Sequence, residues 1–130
     1  MKERLRAIIG MLITIFVLGM AVNLLGAPDS GASVAHNILS GIILLLHVLT
    51  AVGIVVVSAQ LLYRTRGQKG RQRNHLAWGF GAVCFAFLAG VTTTAIPSPW
   101  SDFASFLMAL GFMAALILYG AVLLRNAAAK

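Results

Sequence analysis

Acidic residues are nearly missing from this sequence, since only three of its 130 residues are Asp or Glu. Glu3 stands near the start, and Asp29 and Asp102 fall in polar breaks between apolar runs. Proton-coupled transporters and pumps carry ionisable groups at membrane depth, and cation pores use rings of acids. No acid lies inside an apolar run to take either role. Paired carboxylates for general acid–base chemistry and a Ser-His-Asp arrangement are equally without support. The single cysteine, Cys84, excludes an intrachain disulfide and a thiolate zinc motif. The three prolines, Pro28, Pro97 and Pro99, all stand where an apolar run ends, as expected of a residue that cannot donate a helical hydrogen bond. Phosphate-loop, dinucleotide and nucleic-acid-binding motifs are absent.

What is present is apolar. Hydrophobic residues make up 60% of the chain and charged residues 10%, with a mean hydropathy of +0.94, far from the balance of soluble domains. All ten Lys and Arg residues lie in three places: the first six residues, the stretch from Arg64 to Arg73, and the tail from Arg125 to Lys130. The net charge of +7 therefore borders candidate membrane spans instead of occupying a separate basic domain. Topogenic and lipid-headgroup roles follow, and a nucleic-acid partner does not.

The apolar runs predict four spans, at about 7–27, 35–63, 74–96 and 103–124, each long enough for a hydrocarbon core of roughly 30 Å at 1.5 Å per residue. The second is longer than a perpendicular crossing needs and should tilt or project. The first follows Lys2, Arg4 and Arg6 as a signal peptide would. Cleavage after Ala27 would place Leu25 at minus three and Pro28 just past the cut, so a retained span is expected. Ser101 or Asp102 is the expected N-cap of the fourth span. Trp78 and Tyr63 fall near one interface and Trp100 near the other. The positive-inside bias puts both ends and the 64–73 loop in the cytoplasm, with Arg64, Arg66, Lys69, Arg71 and Arg73 as membrane anchors. The predicted fold is all-α: one integral membrane domain over residues 1–130, an up-down-up-down four-helix bundle joined by short loops. Small residues at four-residue spacing, Ala82, Ala86 and Gly90 in the third span and Gly111 and Ala115 in the fourth, are expected at helix contacts, and Gly10, Gly19 and Gly53 offer the same.

Within the membrane the informative side chain is His47, eleven residues after His36. That spacing is about three turns, or roughly 16 Å along the axis, too far for the two to share one metal. Counting from the outer ends of the spans puts Cys84 and Met113 near the depth of His47. His and Met are competent axial ligands for haem iron, and Cys, His and Met together suit copper. The plainer reading is that Cys84 and Met113 are packing residues, and that His47 donates to a carbonyl or to Thr50 or Thr14. A second group, Asn23, Asp29, His36, Thr92, Thr93, Thr94 and Asp102, collects at the outer ends, where Asp29, His36 and Asp102 could hold an external cation. Helix capping and solvation explain the same residues.

The segments GMAVNLLGAPDSG, HVLTAVGIVVV and SFLMALGFMAALILYG resemble an uncharacterised group of small four-helix bacterial membrane proteins. The resemblance covers most of the chain and implies a multi-pass protein of the bacterial inner membrane. In architecture the chain is also similar to half of a haem A synthase and to b-type cytochromes that hold haem among four helices, which implies haem b as a cofactor, although the Glu-x-x-His-Arg pattern of haem A synthases is not present. Three functions follow as expectations. The first is a noncatalytic accessory or assembly component in the lipid bilayer, acting through helix contacts with a larger membrane protein or a second copy. The second is a haem-binding electron-transfer protein, with His47 and Met113 as axial ligands. The third is a small-solute transporter or channel subunit using Thr50, Ser58 and Gln60.

Overall fold

A computed structural model describes residues 1–26, 28–67, 70–96 and 99–128. Lys69 of the anchor set lies outside the described residues, as do Pro97 and the side chain of Thr94. The described chain is all-helical, with α1 (Lys2–Leu25), α2 (Val34–Arg64), α3 (Arg71–Ala95) and α4 (Trp100–Ala128). All four are long and apolar enough to cross a membrane.

Local chemistry sets the ends. α1 stops at Gly26, whose φ of 75° is one that L side chains rarely adopt, and α3 starts after Gly70 at a φ of 125°. Ser33 caps α2 by accepting the His36 N–H at 3.3 Å. At the far end of α2, the Thr65 hydroxyl donates to the carbonyls of Leu61 at 3.1 Å and Leu62 at 3.0 Å, beside the Thr65 N–H that the same two carbonyls accept. α4 begins upstream of the expected cap. Its first helical bond runs from the Phe103 N–H to the Pro99 carbonyl at 3.3 Å, which places Ser101 and Asp102 inside the first turn. An acid there complements the helix dipole without capping.

Each helix packs against its neighbours in sequence and α4 returns to α1, with no close backbone approach between α1 and α3 or between α2 and α4. The seam between α3 and α4 is the most extensive. It is made close by small residues: a Cβ on Gly111 would meet the Ala86 Cβ and Phe85 Cδ1 at 3.0 Å and the Ala82 carbonyl oxygen at 3.1 Å. Gly79 leaves the place that the Tyr119 ring fills, since a Cβ there would stand 3.0 Å from Cζ. Gly90 does the same for the Met108 sulfur at 3.1 Å. Gly10, by contrast, has nothing within 4 Å, so it makes no helix contact of the expected kind.

The buried cluster comprises Leu5, Ile8 and Leu12 from α1, Ile54 and Leu61 from α2, Leu76 and Val83 from α3, and Ala115, Tyr119 and Val122 from α4. These come from the halves of the helices that border the basic segments. Phe16 and Phe112 stack across α1 and α4, with centroids 5.5 Å apart and an interplanar angle of 19°.

Candidate functional site

His47 lies at the α1–α2 contact. Gly19 faces its ring, and a Cβ there would stand 3.2 Å from Cε1 and 3.7 Å from Nδ1. Nδ1 is buried and completes no hydrogen bond, although the Ile15 carbonyl is close by. Neither expected threonine serves it. The Thr50 hydroxyl donates to its own helix at the Leu46 carbonyl, 2.7 Å away, and the Thr14 hydroxyl donates to the Gly10 carbonyl at 3.0 Å. Met113 is 49% exposed. It belongs to an outward stripe of α4, with Phe103, Phe106, Leu110, Ile117 and Leu124, whose three-, four- and seven-residue spacing keeps them on one side of the helix. Cys84 is a partly buried free thiol of α3.

Cys84 and Ser58 instead lie beside the hydroxyl of Tyr119. Tyr119 and Ser58 are each only 1% exposed, and their hydroxyls are neighbours close enough to interact without reaching full hydrogen-bond geometry. Two such groups in an apolar layer are a cost of about 1–3 kcal/mol apiece unless a partner reaches them. Ser58 is one of the three expected transport residues, whereas Tyr119 carries no role expected from the sequence. A signal was available in the pairing of a glycine on one helix with the only tyrosine deep in another span. The third proposed transport residue, Gln60, is exposed and accepts from the Arg4 guanidinium at 2.9 Å.

At the opposite end the polar residues mainly organise backbone. Asn37 clasps the loop before α2: its Oδ1 accepts the Asp29 N–H at 2.9 Å, and its Nδ2 donates to the Asp29 carbonyl at 2.8 Å. The Asp29 carboxylate accepts from Ser30 at 3.4 Å. His36 Nε2 is 3.4 Å from the Ser40 hydroxyl on the same helix. Thr92 and Thr93 donate to the Ala89 and Gly90 carbonyls at 2.7 Å. Asp102 is exposed in the first turn of α4. Among the described residues, no three His, Cys, Asp or Glu side chains converge in a way that could hold a metal ion.

Two shallow surface recesses lie at the basic end. One is lined by Ala59, Gln60, Tyr63 and Arg64. The other, about 320 Å³, is lined by Ala59, Leu62, Tyr63 and Arg66 on the α2 side and by Arg73 and Phe80 of α3. The anchors Arg64, Arg66, Arg71 and Arg73 are exposed. The sequence reading took these arginines together as anchors. It missed Phe80, although seven-residue spacing puts Phe80 on the Arg73 side of α3. Comparisons with protein families, with curated proteins and with solved structures give no match for this chain.

Proposed function

We propose that this chain is a noncatalytic accessory or assembly component of a bacterial cytoplasmic membrane that works through its helix faces, with a larger membrane protein or a second copy as partner. The observation that carries the reading is where the polar side chains are spent. The hydroxyls of Thr14, Thr50, Thr65, Thr92 and Thr93 all donate to carbonyls of their own helices instead of meeting around a common reaction centre. The bundle runs up-down-up-down with both ends cytoplasmic. In support, Arg4 meets Gln60, Met11 meets Gly53 and Gly19 meets His47, so one partner's number rises as the other's falls. The basic segments share the end where the buried cluster lies, as the positive-inside bias asks.

Photocrosslinking in native membranes tests the partner. A crosslinker at Leu110 or Ile117, both on the outward stripe of α4, should give an adduct of one discrete mass, and one at buried Ala115 should not. Failure at both outward positions, together with saturable solute flux in liposomes, would sink the reading. A second reading, haem binding, is favoured by one observation, the buried and unpaired Nδ1 of His47 beside Gly19. Met113 would complete the ligation only from its outward stripe. An oxidised-minus-reduced spectrum of purified protein tests this reading: a stoichiometric Soret band that His47→Ala removes would establish it, and colourless protein expressed with added haem would end it.

A further inference from the structure

The ten basic residues are not equivalent in their surroundings. The Arg4 guanidinium is engaged by Gln60 at 2.9 Å, and Arg6 by Glu3 at 2.9 Å. Arg66 and Arg73 are exposed and reach no acceptor among the described residues, yet they line the same recess from two different elements. That recess is graded along its length. On the α2 side Ala59, Leu62 and Tyr63 share one face of the helix by their three- and four-residue spacing, and Arg66 follows in the turn beyond the helix end, its N–H bonded to the Tyr63 carbonyl. On the α3 side the recess is lined by Arg73 in the first turn and by Phe80 seven residues on, about 10 Å further along the helix. Both walls therefore run from cation to hydrocarbon in the same direction.

We propose that this α2–α3 groove binds one anionic phospholipid, its phosphate held between Arg66 and Arg73 and an acyl chain lying along Leu62 and Phe80. Guanidinium groups suit the site because their planar forks bind phosphate oxygens in pairs. Tyr63 stands between the two ends, at the level where phenols collect at membrane interfaces. A diffuse basic fringe would attract anionic lipid without selecting a position. Two arginines facing one groove with an apolar floor select both a headgroup and a chain direction. The inference rests on the membrane-spanning part of the proposed function and is independent of the accessory role.

Native mass spectrometry of the detergent-solubilised full chain, offered equal amounts of dioleoyl phosphatidylglycerol and dioleoyl phosphatidylcholine, reads the site directly. The wild type should keep one phosphatidylglycerol in preference. Each arginine should contribute about fivefold to that preference, so the double variant R66Q/R73Q should lose most of it. R71Q/R125Q removes the same charge from residues that do not line the groove and should keep the preference. Phe80→Ala should shorten the retention of the lipid, and glycerol phosphate, which has no acyl chain, should fail to compete. Equal losses from the two double variants would show unlocalised attraction and overturn the site, as would competition by glycerol phosphate as strong as that of the lipid. Equal helicity of all variants by circular dichroism keeps the comparison fair. Alkaline carbonate separates the two levels of failure: release of the chain from membranes overturns the spanning reading along with the site, whereas a retained chain without lipid preference overturns the site alone.

Discussion

At the basic end of the bundle every helix supplies buried apolar side chains, among them Leu5, Ile8, Leu61, Leu76 and Val122, while towards the opposite end burial falls to small residues such as Ser40, Ala89 and Ala104. Apolar residues run through both halves of all four helices, so hydrophobicity alone does not distinguish them. Lipid tails are as apolar as leucine, and helices in a bilayer cohere only where their surfaces fit closely. Gly79, Gly111 and Ala115 permit that fit. On α2, the opposite end presents Ile38, Leu39, Ile42, Leu45 and Leu49 outward, and its close packing there is the contact of His47 with Gly19.

The largest effect should come from emptying the fitted end. Tyr119→Ala leaves the place beside Gly79 vacant and should cost about 3–5 kcal/mol, whereas Phe106→Ala on the outward stripe should stay within about 0.5 kcal/mol. Reversible unfolding in bicelles checks the pair, and equal costs would erase the distinction between inward and outward faces. Overfilling comes next. Gly111→Leu must displace Ala86, Phe85 and the Ala82 carbonyl and should cost about 1–3 kcal/mol or more, while Gly41→Leu, with nothing within 4 Å of its position, should be tolerated. A tolerated Gly111→Leu would mean that the α3–α4 seam is looser than described. Asn37→Ala should act locally. It removes two hydrogen bonds to Asp29, about 0.5–1.5 kcal/mol each, and should speed amide exchange in the loop before α2 without moving the global unfolding midpoint. Smallest is Ser58→Ala, which deletes a buried hydroxyl that completes no hydrogen bond and should be neutral or slightly stabilising. A clear destabilisation would show that the neighbouring hydroxyls of Ser58 and Tyr119 hold a hydrogen bond to each other.

The four helices were legible because charge and proline interrupt the apolar runs at few places, and those interruptions carry the boundaries. α1 and α4 extend beyond the predicted spans, Lys2–Leu25 against about 7–27 and Trp100–Ala128 against about 103–124, since polar flanks outside a hydrocarbon core are still free to be helical. The Gly111 contact could be anticipated from its spacing with Ala115. Helix rotation could not, because in a chain apolar on every side no polar face announces which way a residue points. That is why Met113, matched to His47 by depth, lies on the outward stripe. The clasp by Asn37 escaped notice because an asparagine at the start of a span reads equally well as solvated.

The stacked pair Phe16 and Phe112 joins the first helix to the last, and this bears on assembly during synthesis. The α1–α2 and α3–α4 contacts each close a short loop, at little entropic cost. The aromatic stack closes a far longer loop, from residue 16 to residue 112, so it forms only once the last helix is in place. Until then the α1 face carrying Phe16 is open, and the ring of helices stays unclosed on that side.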